Sequence, residues 1–183
     1  MADHFPGKIE LGGTVVIETI EQRELVEKAL SAFANYCSHE WGGTFYGTMS
    51  IEDAMNSLDS LGLLEGVDDE ARYGEFEEVE DACREAGIAY DRHSSARYEH
   101  DAEVSRWRTG MDEAFVTTSK ESGNPTFCVS EVKELIEKTL DNETHASLAD
   151  RISLFKQALT EMSGENIPPL KPLNIIDKAP KTE

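Results

Sequence analysis

Apolar and polar positions alternate in two rhythms along the chain. A period near 3.6 marks an amphipathic helix and a period of 2 a half-buried strand. After a Pro6-Gly7 turn, Lys8-Ile9-Glu10-Leu11 reads as a short extended segment. Thr14-Val15-Val16-Ile17-Glu18, beyond a Gly12-Gly13 break, is β-branched and predicts a strand. Helical spacing follows from Glu21 to about Tyr36, with Leu25, Ala29, Phe33 and Tyr36/Cys37 in one stripe and Val26 and Leu30 beside it. Gly42-Gly43 ends this region, and Thr44 to Met49 predicts a short strand. Ser50 is placed to cap a helix that Ile51, Ala54/Met55 and Leu58 carry to Gly62, because its hydroxyl can accept from a free backbone amide. Glu65 to Gly74 reads as a turn-like acidic segment. The next helix spans about Glu75–Ala86, with Phe76, Val79, Ala82/Cys83 and Ala86 on its apolar side and Gly87 as its terminator.

The period then shortens. Ile88–Arg92, Ala102–Arg108, Ala114–Thr118 and Thr126–Val129 are four short strand candidates, separated by turn-forming Thr109-Gly110 and Ser122-Gly123-Asn124-Pro125. That spacing suits an antiparallel meander. Ser130 is the expected cap of a helix with Val132, Leu135, Ile136 and Leu140 at core positions. A second helix, about His145–Met162, sets Leu148, Ile152, Phe155, Leu159 and Met162 on one side. Pro168, Pro169, Pro172 and Pro180 prevent its continuation. Within that tail Leu173-Asn174-Ile175-Ile176 is too apolar for a plain linker, and its expected place is beside Lys8–Leu11 as a sheet edge. The sum is an α+β fold: a small antiparallel meander of about four to six strands covered by four to five helices. Residues 1–162 form one domain in this reading, and 163–183 a partly docked tail whose last few residues are loose.

Composition narrows the function. The 183 residues include 17 Lys and Arg against 37 Asp and Glu, a formal charge of −20. Such a surface repels phosphate, so direct binding to nucleic acid or to an anionic membrane is not expected. No run of residues reaches the roughly 20 apolar positions that cross a bilayer. The first residues lack the basic start and apolar run of a secretion signal. Cys37, Cys83 and Cys128 leave at least one thiol unpaired within the chain. Both features point to a reducing, cytoplasmic setting. The charge is also concentrated: Glu52 to Glu85 holds 13 acids and only the bases Arg72 and Arg84. Ordinary helices interleave lysines at four-residue spacing to support such a run.

Motifs for catalysis are missing. There is no HExxH, CxxC or calcium loop, no GxSxG and no phosphate-binding glycine loop. Cys37 stands two residues before His39, too close within one segment for a Cys–His pair, and Cys83 and Cys128 fall on expected apolar faces. No catalytic residue, metal ligand or cofactor is therefore assigned. Arg92, Arg97, Arg106 and Arg108 with Tyr90, Tyr98 and Trp107 form the one basic and aromatic stretch. Interleaved Asp91, Glu99, Asp101 and Glu103 read more simply as its cross-strand ion-pair partners.

The sequence thus favours a non-enzymatic acidic binding protein. Its surface would be Asp68, Asp69, Glu70, Glu75, Glu77, Glu78, Glu80, Asp81 and Glu85, docked on a basic site of a protein partner. The most concrete form is a nucleic-acid mimic occupying the groove of a nucleic-acid-acting enzyme, as anti-restriction, anti-CRISPR and nuclease-immunity proteins do. Two alternatives come from other classes. One is a metal-dependent enzyme using His39, Asp91 and His93; the other is a structural subunit that assembles, as a homo-oligomer or otherwise, through exposed aromatics or the Ile167–Ile176 tail.

Overall fold

A computed structural model describes residues 4–39, 43–44, 47–97, 100–120, 122–140 and 147–180, with the side chains of 39, 43 and 44 left out. In chain order the elements are β1 (His4–Gly12), β2 (Thr14–Ile17), α1 (Ile20–Tyr36), β3 (Ser38–His39), β4 (Gly43–Thr44), α2 (Ile51–Asn56) and β5 (Leu64–Arg72). There follow α3 (Glu77–Ala86), β6 (Ala89–Ser94), β7 (Ala102–Trp107), β8 (Phe115–Ser119), α4 (Val129–Thr139), α5 (Leu148–Ser163) and β9 (Asn174–Asp177). The architecture is the expected α+β one, an antiparallel sheet with helices against it. Its order is β4-β3-β5-β1-β6-β7-β8, in which β3 and β4 are two-residue extensions beyond β5.

The meander is confined to β6-β7-β8. β1 lies inside the sheet, antiparallel to β5 on one side and β6 on the other. Phe5, Ile9 and Leu11 of β1 point to the same side as Leu64 of β5 and Tyr90 of β6, and all are buried. Val26, Ala29, Leu30 and Phe33 of α1 and Val79, Ala82 and Cys83 of α3 belong to the same core. The apolar stripes read from the sequence are therefore what hold α1 and α3 in place, at roughly 1.5–3 kcal/mol for each large side chain fully removed from water.

The caps follow local chemistry. Ser50 Oγ accepts from the Asp53 amide (3.1 Å), as its position predicts, and Gly87 ends α3 at φ 73°. Several local expectations are corrected, among them the length of α2, which ends at Asn56 instead of Gly62. The acidic segment from Glu65 is a strand, because β5 pairs along β1 from Leu64 to Arg72. Gly66 makes this approach of α1 feasible: a Cβ there would lie 2.6 Å from side-chain atoms of both Phe33 and Cys37. Thr126–Val129 is not a strand. Ser119 and the Thr118 carbonyl take up Pro125 and the Thr126 amide, and Val129 already opens α4. The cap of α4 is Cys128 rather than Ser130; its amide donates to Glu131 Oε2 (2.7 Å), and its thiol is exposed instead of buried. Of the strand expected over Thr44–Met49, only Thr44 is extended, in β4; Phe45 and Tyr46 lie outside the described residues, as does His145 at the expected start of the last helix.

The tail docks elsewhere than beside Lys8–Leu11, since both edges of β1 are occupied. β9 instead runs parallel to β2, Thr14 facing Asn174 and Ile17 facing Asp177. Leu173 is buried at its start, and Arg23 of α1 holds Asp177 through Nε (2.8 Å) and Nη2 (2.9 Å). Gly12 lies where a side chain would meet the Lys171 carbonyl at 2.3 Å, so the chain passes closely enough for the Gly13 amide to donate to that oxygen (2.9 Å).

Candidate functional site

The acidic stretch is built on β5, the turn after it and α3. Pro6 on β1 has no amide to give the ladder, and the pairing slips opposite it: Phe5 faces Ala71, while Gly7 faces Asp68. Asp69 and Glu70 on β5 together oppose the single Pro6, a bulge of one extra residue that re-aims side chains. Asp68 Oδ1 accepts from the Glu70 amide (2.9 Å) and steadies the distortion. The chain then turns through Tyr73 (φ 56°) and Gly74 (φ 67°). A left-handed tyrosine costs roughly 1–2 kcal/mol. Gly74 is required there, since a Cβ would sit 2.4 Å from that of Ser94. Phe76 follows as a buried plug at the entry to α3.

These features shape a cavity of about 480 Å³. Asp68 and Glu70 line it from β5, and Glu75, Glu77 and Glu78 from the start of α3. Tyr36 at the end of α1, Tyr73 and Phe76 add three aromatic rings, and the basic side chains of His4 and Arg72 complete the lining, with the Arg72 guanidinium 5.5 Å from the centroid of the Tyr73 ring. Tyr36 and Tyr73 keep 46% and 37% of their surface exposed. The Glu78 carboxylate near the Tyr36 hydroxyl, with some desolvation, holds the phenol above the ordinary range. Glu75 also titrates high. Loss of water raises it and Arg92 lowers it, while the carboxylates of Glu103, Glu80 and Glu77 raise it again.

The remaining predicted residues have distinct fates. Asp69 is exposed but does not line the cavity. Asp81 pairs with Arg84 one turn on, and Glu85 reaches Lys28 of α1 (2.6 Å). Glu80 turns inward: 8% exposed, it meets Arg92 Nε at 2.9 Å. Arg92, 4% exposed, also holds Glu103 on the neighbouring strand and donates to the Gly74 carbonyl (3.3 Å). Glu80 thus belongs to the scaffold that fixes the turn and α3, and eight of the nine carboxylates remain on the surface. Its phase carries the signal: Phe76, Val79, Glu80 and Cys83 recur at helical spacing and all are buried.

The basic and aromatic stretch forms cross-strand ion pairs, Arg92 with Glu103 and Arg108 with Asp91. Tyr98 and Glu99 lie outside the described residues. Asp91 and His93 are both on β6, and the side chain of His39 lies outside the description. Among the described residues no group of three or more His, Cys, Asp or Glu side chains is placed to hold a metal ion. Burial pushes the Cys37 and Cys83 thiols far above the ordinary value, so both are held as neutral thiols. Among the described residues, no helix is long and apolar enough to cross a membrane. No protein-family model matches the chain, and neither a curated protein nor a solved structure does.

Proposed function

We propose that the chain is a non-enzymatic binding protein whose acidic face docks on a basic site of another protein, one that otherwise holds nucleic acid. It would act as an inhibitor in the manner of anti-restriction, anti-CRISPR or nuclease-immunity proteins. The observation that carries this reading is the concave meeting of carboxylates and aromatic rings at Asp68, Glu70, Glu75, Glu77 and Glu78 with Tyr36, Tyr73 and Phe76. Solvated side chains that served only to keep a protein in solution would not need to surround exposed rings. A guanidinium or ammonium group of a partner meets two complementary forces there. Carboxylates form charge-assisted hydrogen bonds to it, and the exposed Tyr36 ring attracts it by the same cation–π interaction that Tyr73 already makes with Arg72 of the chain itself. Arginine and aromatic side chains are also the residues that dominate binding energy at protein interfaces.

Asp69, Asp81 and Glu85 extend the negative surface beyond the cavity. The pairs Asp81–Arg84 and Glu85–Lys28 are surface contacts worth about 0–1 kcal/mol each, so a partner's cations can replace the internal ones at little cost. From Glu77 to Glu85 the helix rises about 12 Å at 1.5 Å per residue. Duplex DNA presents about seven phosphates over that length.

The test uses the tagged chain to capture a basic partner at low salt. Release near 0.5 M salt, where the Debye length falls to a few Å, is the expected electrostatic signature. Reversing Glu77, Glu78 and Asp81 to Lys should abolish capture, and the captured enzyme should lose nucleic-acid binding in the complex. Retention of the partner by the reversed variant would overturn the proposal.

A further inference from the structure

Helix α5 carries Leu148, Ile152, Phe155, Leu159 and Met162, at steps of four, three, four and three. That is the spacing of a seam along which one helix packs on another. α4 is one neighbour: the two helices pack together, and Arg151 Nη1 donates to the Leu140 carbonyl (2.8 Å) at the end of α4. The seam is only half covered. Phe155 and Met162 are partly buried, whereas Leu148, Ile152 and Leu159 remain 61%, 41% and 36% exposed. Among the described helices, α5 alone leaves three large aliphatic side chains exposed in one row.

We propose that this row is covered by α5 of a second copy of the chain, antiparallel about a two-fold axis, so that two α4–α5 hairpins form a four-helix bundle. The row is complementary to itself. Antiparallel pairing sets Leu148 against the second copy's Leu159, and Ile152 against the second copy's Phe155, each contact occurring twice. Charge selects the same occupant. Two chains at −20 repel each other over most of their surface, but the two helices that would meet are nearly neutral. There are three acids and two bases on α4 and two of each on α5, with two further acids, Asp141 and Glu143, in the sequence between them. On the exposed flank of the row, Lys156 falls near the small Ala149 of the second copy rather than near a like charge.

Sedimentation equilibrium of the full chain tests this, at about 100 µM to populate a dimer of micromolar Kd. The expected mass is twice the 20.3 kDa of one chain. Association should strengthen at about 0.5 M salt, because repulsion is screened while apolar contact is not. The double variant Ile152→Lys with Leu159→Lys should keep its far-ultraviolet circular dichroism and raise the dimer Kd at least tenfold. Should that variant lose its fold, Leu148→Ser at the exposed start of α5 makes the same comparison. A wild-type chain of single mass in high salt would overturn the dimer and leave the row to a different protein. A substituted chain that dimerises as tightly as the wild type would overturn it equally.

Discussion

Arg92 and Glu80 face each other inside the protein, Nε of one 2.9 Å from Oε1 of the other, with 4% and 8% of their surfaces exposed. A buried pair of this kind adds little over a well-packed apolar pair, but breaking it leaves a charge without a partner. Arg92→Met should therefore destabilise the fold by about 3–5 kcal/mol in urea unfolding. Replacing Arg92 and Glu80 together by Met should recover much of that loss. A single variant as stable as the wild type would show that Glu80 finds water or another cation.

Glu75 sets a pH dependence of definite sign. Its folded-state pKa is raised, chiefly by desolvation and by neighbouring carboxylates against the opposing pull of Arg92. The folded protein then holds this proton more tightly than the unfolded chain does. The stabilisation is complete below 4.5, the ordinary glutamate value, and is lost as pH rises through the folded value. Glu75→Gln should flatten unfolding midpoints over that window, and partner capture should weaken in the same variant. Unchanged pH slopes would assign the dependence to other groups.

Gly66 admits α1 to the sheet. Gly66→Ala should cost about 1–3 kcal/mol by overpacking against Phe33 and Cys37. Phe33→Leu, placed in the alanine variant, should return part of that loss, because it opens space where the new methyl points. Thermal unfolding of the two single variants and the double variant measures the coupling.

Thiol chemistry separates the cysteines. Cys128 is exposed, whereas Cys37 and Cys83 are enclosed, with burial holding both as neutral thiols. Ellman's reagent should titrate one thiol in the native protein and three after denaturation. Rapid native reaction of a second thiol would mean that the contact of α1 with α3 opens readily.

Helices α1 and α3 could be read from the sequence because each buries a stripe that its own residues spell out, as Val79, Ala82 and Cys83 do for α3. β5 could not. Its acids and Gly66 contradict strand propensity, and only the presence of β1 alongside makes the segment extended. Its outer neighbour is the two-residue β3, so much of its surface meets water and charge is tolerated there. The partner of β9 was equally hidden, since it depends on which edges of β1 are already taken. At the candidate site the carboxylates stand out as a run in sequence. Tyr36, Tyr73 and Phe76 come from the end of α1, a turn and the entry to α3, so only the fold assembles them.

The interior place of β1 bears on how the protein is made. β1 cannot satisfy both its edges until residue 94 has left the ribosome, because β6 ends there. Until then an apolar ribbon, Phe5, Ile9 and Leu11 among its residues, lacks its final neighbours in the nascent chain. Pairing of β1 therefore waits on β6, and pauses in synthesis before that point would lengthen the interval in which the nascent chain depends on chaperones.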